Sequence, residues 1–181
     1  KIFNKTPLLN AARVDNIALL KLLLSHPGIE TNVTTAGDTT ILDWAVTDED
    51  EEAVKLILNL DNDKFNKKPD NKELSSIKLA ISRGNPVIFD LLIKNELLHV
   101  NERIENQMIM ATIFESVEIV RYLIQFINGD NSNTDDVVDV NAVDDSGRTA
   151  LHHASDEGFI DIVRILVNCQ GINLNIEDKE Y

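Results

Sequence analysis

Four histidines (His26, His99, His152 and His153) and a single cysteine, Cys169, are the side chains best suited to hold a metal or attack a carbonyl. His152 and His153 are neighbours, and adjacent residues on a helix point in different directions, so they make a poor metal pair. Cys169 has no second cysteine at CxxC spacing and no histidine frame beside it, which favours a small, partly buried residue over a nucleophile. The run Asp130-Asn131-Ser132-Asn133-Thr134-Asp135-Asp136 has the oxygen ligands of a calcium loop. It lacks the turn glycine and the closing bidentate glutamate, so it reads as a solvated acidic loop. Asp48-Glu49-Asp50-Glu51-Glu52 stands where a helix is expected to begin, and carboxylates there complement the helix dipole. The seven glycines are scattered and form no phosphate-cradling loop, and no G-x-S-x-G occurs. No catalytic residue, no metal ligand set and no cofactor is expected.

The elements that would position any such group follow from composition and periodicity. The chain has 181 residues, 43% apolar and 5% aromatic, so its core is built from Leu, Ile, Val and Ala. Seventeen basic residues against 31 acidic ones give a net charge of −14. That excess disfavours nucleic acid and anionic membrane, which reward Lys/Arg clusters, and favours solubility and a partner protein that is neutral or has a basic surface. The longest apolar run, residues 17–24, is broken by Lys21 and is too short to span a bilayer. A lone cysteine allows no intrachain disulfide, which with the absence of an opening signal peptide fits an intracellular, cytoplasmic setting. The chain is expected to be monomeric.

An internal repeat organises the whole sequence. Gly147-Arg148-Thr149-Ala150-Leu151-His152-His153-Ala154 is followed by Gly158 and Ile162-Val163-Arg164-Ile165-Leu166-Val167. Thr6-Pro7-Leu8-Leu9-Asn10-Ala11-Ala12 is followed at the same offsets by Asp15 and residues 19–24. The frame recurs from Thr40, Ser75 and Asn106, with steps of 34, 35, 31 and 43 residues. Each copy has a place for a helix cap (Thr6, Thr40, Thr149), for proline at the first helical position (Pro7), and for a small residue (Ala11, Ala45, Ala80, Ala111, Ala154) where helices approach closely. A left-handed turn follows. Gly84 and Gly158 suit it, Asp15 suits it moderately, and Glu49 and Glu115 less well. The second helix carries an apolar stripe such as Ile162, Ile165 and Leu166.

This frame resembles the ankyrin repeat, with its period of about 33 and T-P-L-H-x-A signature. The resemblance implies an all-α solenoid of about five helix-turn-helix repeats with short β-hairpin fingers. Repeats are expected over about 2–33, 34–68, 69–101, 102–141 and 142–173, with a further one starting at 174–181. It also implies that His152, at the signature position, hydrogen-bonds between repeats. Two polar insertions, Asn59 to Glu73 and Asn128 to Asp139, are expected as surface loops. Neither end carries a clear polar capping sequence, so the chain is expected to be a piece of a longer array or multidomain protein.

By the same resemblance, a partner protein docks on the concave face made by the fingers and first helices. The expected contacts are Arg13, Thr47, Asp48, Ser82, Arg83, Ile113, Phe114, Asp156 and Glu157 at the first-helix ends, with Val14 beside Arg13. Arg103 and Arg148 join them from the fingers, where Lys5, Asp38, Lys72, Glu105, Asp145 and Ser146 also stand. Ile113-Phe114 puts large apolar groups where polar ones usually stand. Either Phe114 folds under the acidic loop or it forms a binding hot spot, and Trp44 either fills a gap between repeats or does the same. The expected function is a protein-interaction scaffold or adaptor without intrinsic catalysis. The alternative is a targeting or regulatory module of a larger protein whose catalytic domain lies outside these residues.

Overall fold

The computed structural model describes residues 6–14, 16–31, 33–35, 39–60, 74–95, 104–128 and 139–179. Among these residues it shows ten α-helices: α1 (Pro7–Arg13), α2 (Ile17–Leu24), α3 (Ile41–Thr47), α4 (Glu51–Leu58), α5 (Leu74–Arg83), α6 (Pro86–Ile93), α7 (Ile104–Ile113), α8 (Val117–Asn128), α9 (Ala150–Glu157) and α10 (Ile160–Val167). They form two compact units, Lys1–Arg83 with Val87–His99, and Gly84–Pro86 with Val100–Tyr181. The two inserted loops and the acidic run fall largely outside the described residues, as do Asp15 and His99.

Local chemistry fixes where each first helix starts. The Thr6 hydroxyl accepts the Leu9 N–H at 3.2 Å, and Pro7 occupies the first helical position. Thr40 and Thr149 open α3 and α9 with reciprocal capping boxes, in which the third helical residue reaches back to the threonine N–H. That residue is Asp43 in α3 and His152 in α9. The second helices α2 and α4 are capped by Asn16 and Asp50, whose side chains accept from Leu19 and Ala53 at 2.9 Å each.

One turn closes the first helices α3, α7 and α9. The N–H of Asp50, Ser116 and Phe159 donates back to the carbonyl of Ala45, Ala111 and Ala154 at 3.0, 2.8 and 2.9 Å. The residue before each donor also bonds back, to Val46, Thr112 and Ser155. This double closure requires a left-handed residue between helix and donor. Gly158 takes it at φ 74° and Gly84 at φ 70°, while Glu49 and Glu115 take it at φ 56° and 54° despite their side chains. The small alanine of the frame therefore has two duties: its Cβ lets helices pack, and its carbonyl anchors the turn.

In the first unit α1 pairs with α2 and α3 with α4; α1 packs on α3, α3 on α5, and α2 on α4. In the second unit α7 pairs with α8 and α9 with α10, α7 lies against α9, and α8 against α10. Each unit has its own aliphatic core. Leu8, Leu20, Ile41, Leu42, Val46, Val54 and Ile57 are buried in the first, and Met108, Ala111, Ile119, Val120, Leu123, Ile162 and Leu166 in the second. Full burial of each such Leu or Ile stabilises by about 1.5–3 kcal/mol. Aromatics contribute little, Phe89 being the one fully buried ring among the described residues.

Polar links join successive repeats. In the first unit the buried Asp43 carboxylate accepts the Thr40 N–H at 2.8 Å and the Ser76 hydroxyl of α5 at 2.5 Å. In the second, the Asn141 amide donates to the Gly171 carbonyl at 2.8 Å and accepts the Asn173 N–H at 2.7 Å. Lys179 donates its N–H to the Ser146 carbonyl and its Nζ to the Asp145 carbonyl.

The structure differs from expectation in two details. The fingers are narrower than β-hairpins: among the described residues they are turns closed by few backbone bonds. Thr34 and Thr40 form an isolated antiparallel bridge, and the Asp144 N–H meets the Arg148 carbonyl at 3.0 Å. Arms this short offer too few paired positions for a ladder. The described hydrogen bonds of His152 lie inside its own repeat, where Nδ1 takes the Thr149 N–H at 3.1 Å. The bond between repeats at that register belongs to Asp43.

Candidate partner-binding surface

Helical geometry explains why the first-helix ends face outward. At about 100° per residue, the position two after the buried alanine points to the opposite side of the helix. The next position stands at or just past the last helical residue. Ala111 and Ala154 are fully buried, whereas Ile113 is 53% exposed and Phe114 48%. Asp156 and Glu157 are exposed at the matching places on α9. In the first unit Arg13, Val14, Asp48, Ser82 and Arg83 are exposed. Thr47 is half-buried, its hydroxyl donating to the Asp43 carbonyl at 2.7 Å, and Ser82 bonds back to the Leu79 carbonyl at 2.9 Å. Trp44 is also half-buried. Arg103, Lys5, Asp38 and Lys72 lie outside the described residues, as does the side chain of Glu105.

Two of the expected contact residues meet directly. Arg148 reaches along α9 to pair with Asp156, its side chain 23% exposed against 65% for the aspartate. The Arg148 Nε is buried without a hydrogen-bond partner among the described residues, as is the Gln107 Oε1. Beside this pair, Asp144 organises the finger. Its Oδ1 accepts the N–H groups of Ser146 and Arg148 at 2.9 and 3.0 Å, and its Oδ2 faces His153 Nε2 at 2.9 Å. Burial works to raise the Asp144 pKa. The Arg148 N–H, His153 and the Ser146 N–H outweigh it and hold the carboxyl below its ordinary value.

Away from this surface, Lys21 on α2 meets Glu52 on α4 and lowers the pKa of that exposed glutamate through its hydrogen bond and charge. Burial raises the pKa of the Cys169 thiol, which suits an inert packing role. Among the described residues no group of three or more His, Cys, Asp or Glu side chains could hold a metal ion. No described helix is long and apolar enough to cross a membrane. In each unit the first-helix ends present exposed side chains: basic, acidic and apolar in the first (Arg13, Asp48, Arg83, Val14), and apolar and acidic in the second (Ile113, Phe114, Asp156, Glu157).

The links at Asp43–Ser76, Asn141 and Lys179 were not foreseen from the sequence. A signal for the first was present: Asp43 and His152 share one register, and Ser76 stands beside Ser75, where the following repeat of the frame begins.

Comparison with known proteins agrees with this architecture. A family profile described as ankyrin repeats in three copies matches residues 77–178, more than half of the chain, and a single ankyrin repeat profile matches residues 3–33. An ankyrin repeat protein of Rickettsia bellii (strain RML369-C) is 48% identical over 42 residues, which is 23% of this chain. The match spans 43% of that relative's length. Among solved structures, the ankyrin repeat domain of Bcl-3, described as a unique member of the IkappaB protein family, superposes with a TM-score of 0.52. That superposition covers 97% of this chain and 90% of the other at 19% identity, a likeness of fold alone. With its capped first helices, alanine-anchored left-handed turns and matching profiles over most of its length, the chain belongs to the ankyrin repeat family.

Proposed function

We propose that this chain is a scaffold or adaptor that holds a partner protein on the exposed ends of its first helices and on its fingers. Ankyrin repeats are protein–protein interaction modules, and their fold is typically non-catalytic. The contact set is Arg13, Thr47, Asp48, Ser82, Arg83, Arg103, Ile113, Phe114, Arg148, Asp156 and Glu157. One observation carries the reading. Ile113 and Phe114 are about half exposed side by side at the end of α7, and adjacent exposed aliphatic and aromatic groups are what a binding partner gains most from covering. The net charge of −14 supports a partner with a basic surface. An intracellular setting fits Cys169, a buried free thiol.

The test compares the wild-type chain with the triple variant Arg83→Glu, Arg103→Glu, Phe114→Ala as baits for affinity capture from lysate. Circular dichroism checks that both are folded. A protein held by the wild type and lost by the variant supports the reading. Equal capture by the two well-folded baits overturns the proposed surface.

A further inference from the structure

We propose that the second unit recognises an extended basic-and-apolar segment of the partner. An apolar side chain seats on Ile113 and Phe114, and a Lys or Arg about three residues along meets Glu157. The proposal rests on the interaction reading above and adds the partner's chemistry.

Charge is unevenly divided along this chain. Residues 1–99 hold 12 basic and 15 acidic residues, a net −3, while residues 100–181 hold 5 basic and 16 acidic, a net −11. The cations of the second unit are, moreover, already engaged wherever they are described. Arg121 faces Glu118, Arg148 faces Asp156, Arg164 faces Asp161, and the Lys179 Nζ is on the Asp145 carbonyl. Glu115 and Glu157 are exposed and have no ion-pair partner among the described residues. The Ile113–Phe114 pair is thus followed directly by the exposed Glu115, and Glu157 stands at the corresponding place on α9. An incoming segment gains from covering the apolar pair and from supplying cations to these carboxylates.

Register sets the spacing. Phe114 and Glu157 occupy the same place in successive repeats, since Glu115 and Gly158 both take the left-handed turn that follows. Helices α7 and α9 pack directly on one another. Packed helix axes lie about 8–10 Å apart. An extended chain covers that distance in about three residues. A peptide crossing from α7 to α9 thus places side chains separated by three positions on the apolar pair and on the acidic end of α9.

The experiment pans a random-peptide phage library on the full chain, in the wild type, in the triple variant above and in the surface variants Phe114→Ser and Glu157→Lys, each checked for folding by circular dichroism. Synthetic versions of enriched peptides are then titrated by fluorescence polarisation. The expected peptides carry an apolar residue and a Lys or Arg about three positions apart. Their affinity falls about tenfold on Phe114→Ser and weakens with added salt, and Glu157→Lys abolishes the basic preference. Enriched peptides that depend on Phe114 but lack a basic residue overturn this partner chemistry and leave the interaction reading standing. Peptides indifferent to Phe114, to Glu157 and to the triple variant overturn both, and failure to enrich any peptide overturns the present proposal.

Discussion

The α3/α4 and α9/α10 helix pairs begin with the same threonine cap and share the same double-bonded turn, but their polar chemistry differs. In α3 the capping residue is Asp43, 3% exposed, and its second oxygen takes the Ser76 hydroxyl of the following repeat. In α9 it is His152, half-buried, with its described bonds kept inside the repeat. The turn residue is Glu49 in the first case and Gly158 in the second. The frame thus demands an acceptor and a left-handed residue, not a particular amino acid. Where the acceptor is a buried carboxylate, the next repeat has to supply a donor, because an ionised group left short of hydrogen bonds in the interior is costly.

Breaking the carboxylate should show the contrast most strongly. Asp43→Ala strips two buried donors of their acceptor and is expected to destabilise by about 2–4 kcal/mol, read from the denaturant midpoint. The corresponding His152→Ala should cost only about 1 kcal/mol. Equal losses at the two sites would mean that the link from Asp43 to Ser76 adds nothing.

The turns give a smaller pair of effects with opposite signs. A Cβ at Gly158 meets nothing within 4 Å, so Gly158→Ala probes backbone conformation alone and should cost about 1 kcal/mol. Glu115→Gly removes the same strain and should stabilise by about 0.5–1 kcal/mol in thermal or urea unfolding.

The finger of the last pair gives the smallest effect and a pH signature. Asp144 titrates below its ordinary value of 3.8 when folded, so its contribution is present above that value. It is lost as the pH falls through the folded value. Melting curves of the wild type and Asp144→Asn should therefore differ near neutral pH and converge in strong acid. A gap that persists unchanged to the lowest pH would detach this stability from the charge.

Much of this architecture was legible in the sequence. The spacing from each frame alanine to the left-handed residue is four throughout, and it located the turns at Glu49, Gly84, Glu115 and Gly158. The outward positions of Arg83, Asp156 and Phe114 followed from the same count. The Asp43–Ser76 link escaped because it joins residues 33 apart through side chains, while the frame predicted a histidine-type bond at that register. The narrowness of the fingers escaped too, because a family resemblance supplies a hairpin's position but not how many of its rungs will close. Whether an exposed pair such as Ile113–Phe114 is a contact or a covered patch depends on neighbours that periodicity does not name.

The fork at Asn141 has a consequence for how the molecule comes apart. Because this side chain both gives to Gly171 and takes from Asn173, loosening of the 171–173 segment breaks both of these bonds to the preceding repeat together. Opening at the carboxyl-terminal end is thereby tied to opening one repeat earlier. In a protein whose cohesion is a sum over neighbouring repeats, such a shared residue raises the cooperativity of unravelling rather than the strength of either repeat by itself. Amide exchange near Asn173 and near Asn141 should then occur as one event, as if two adjacent links of a chain shared a single clasp.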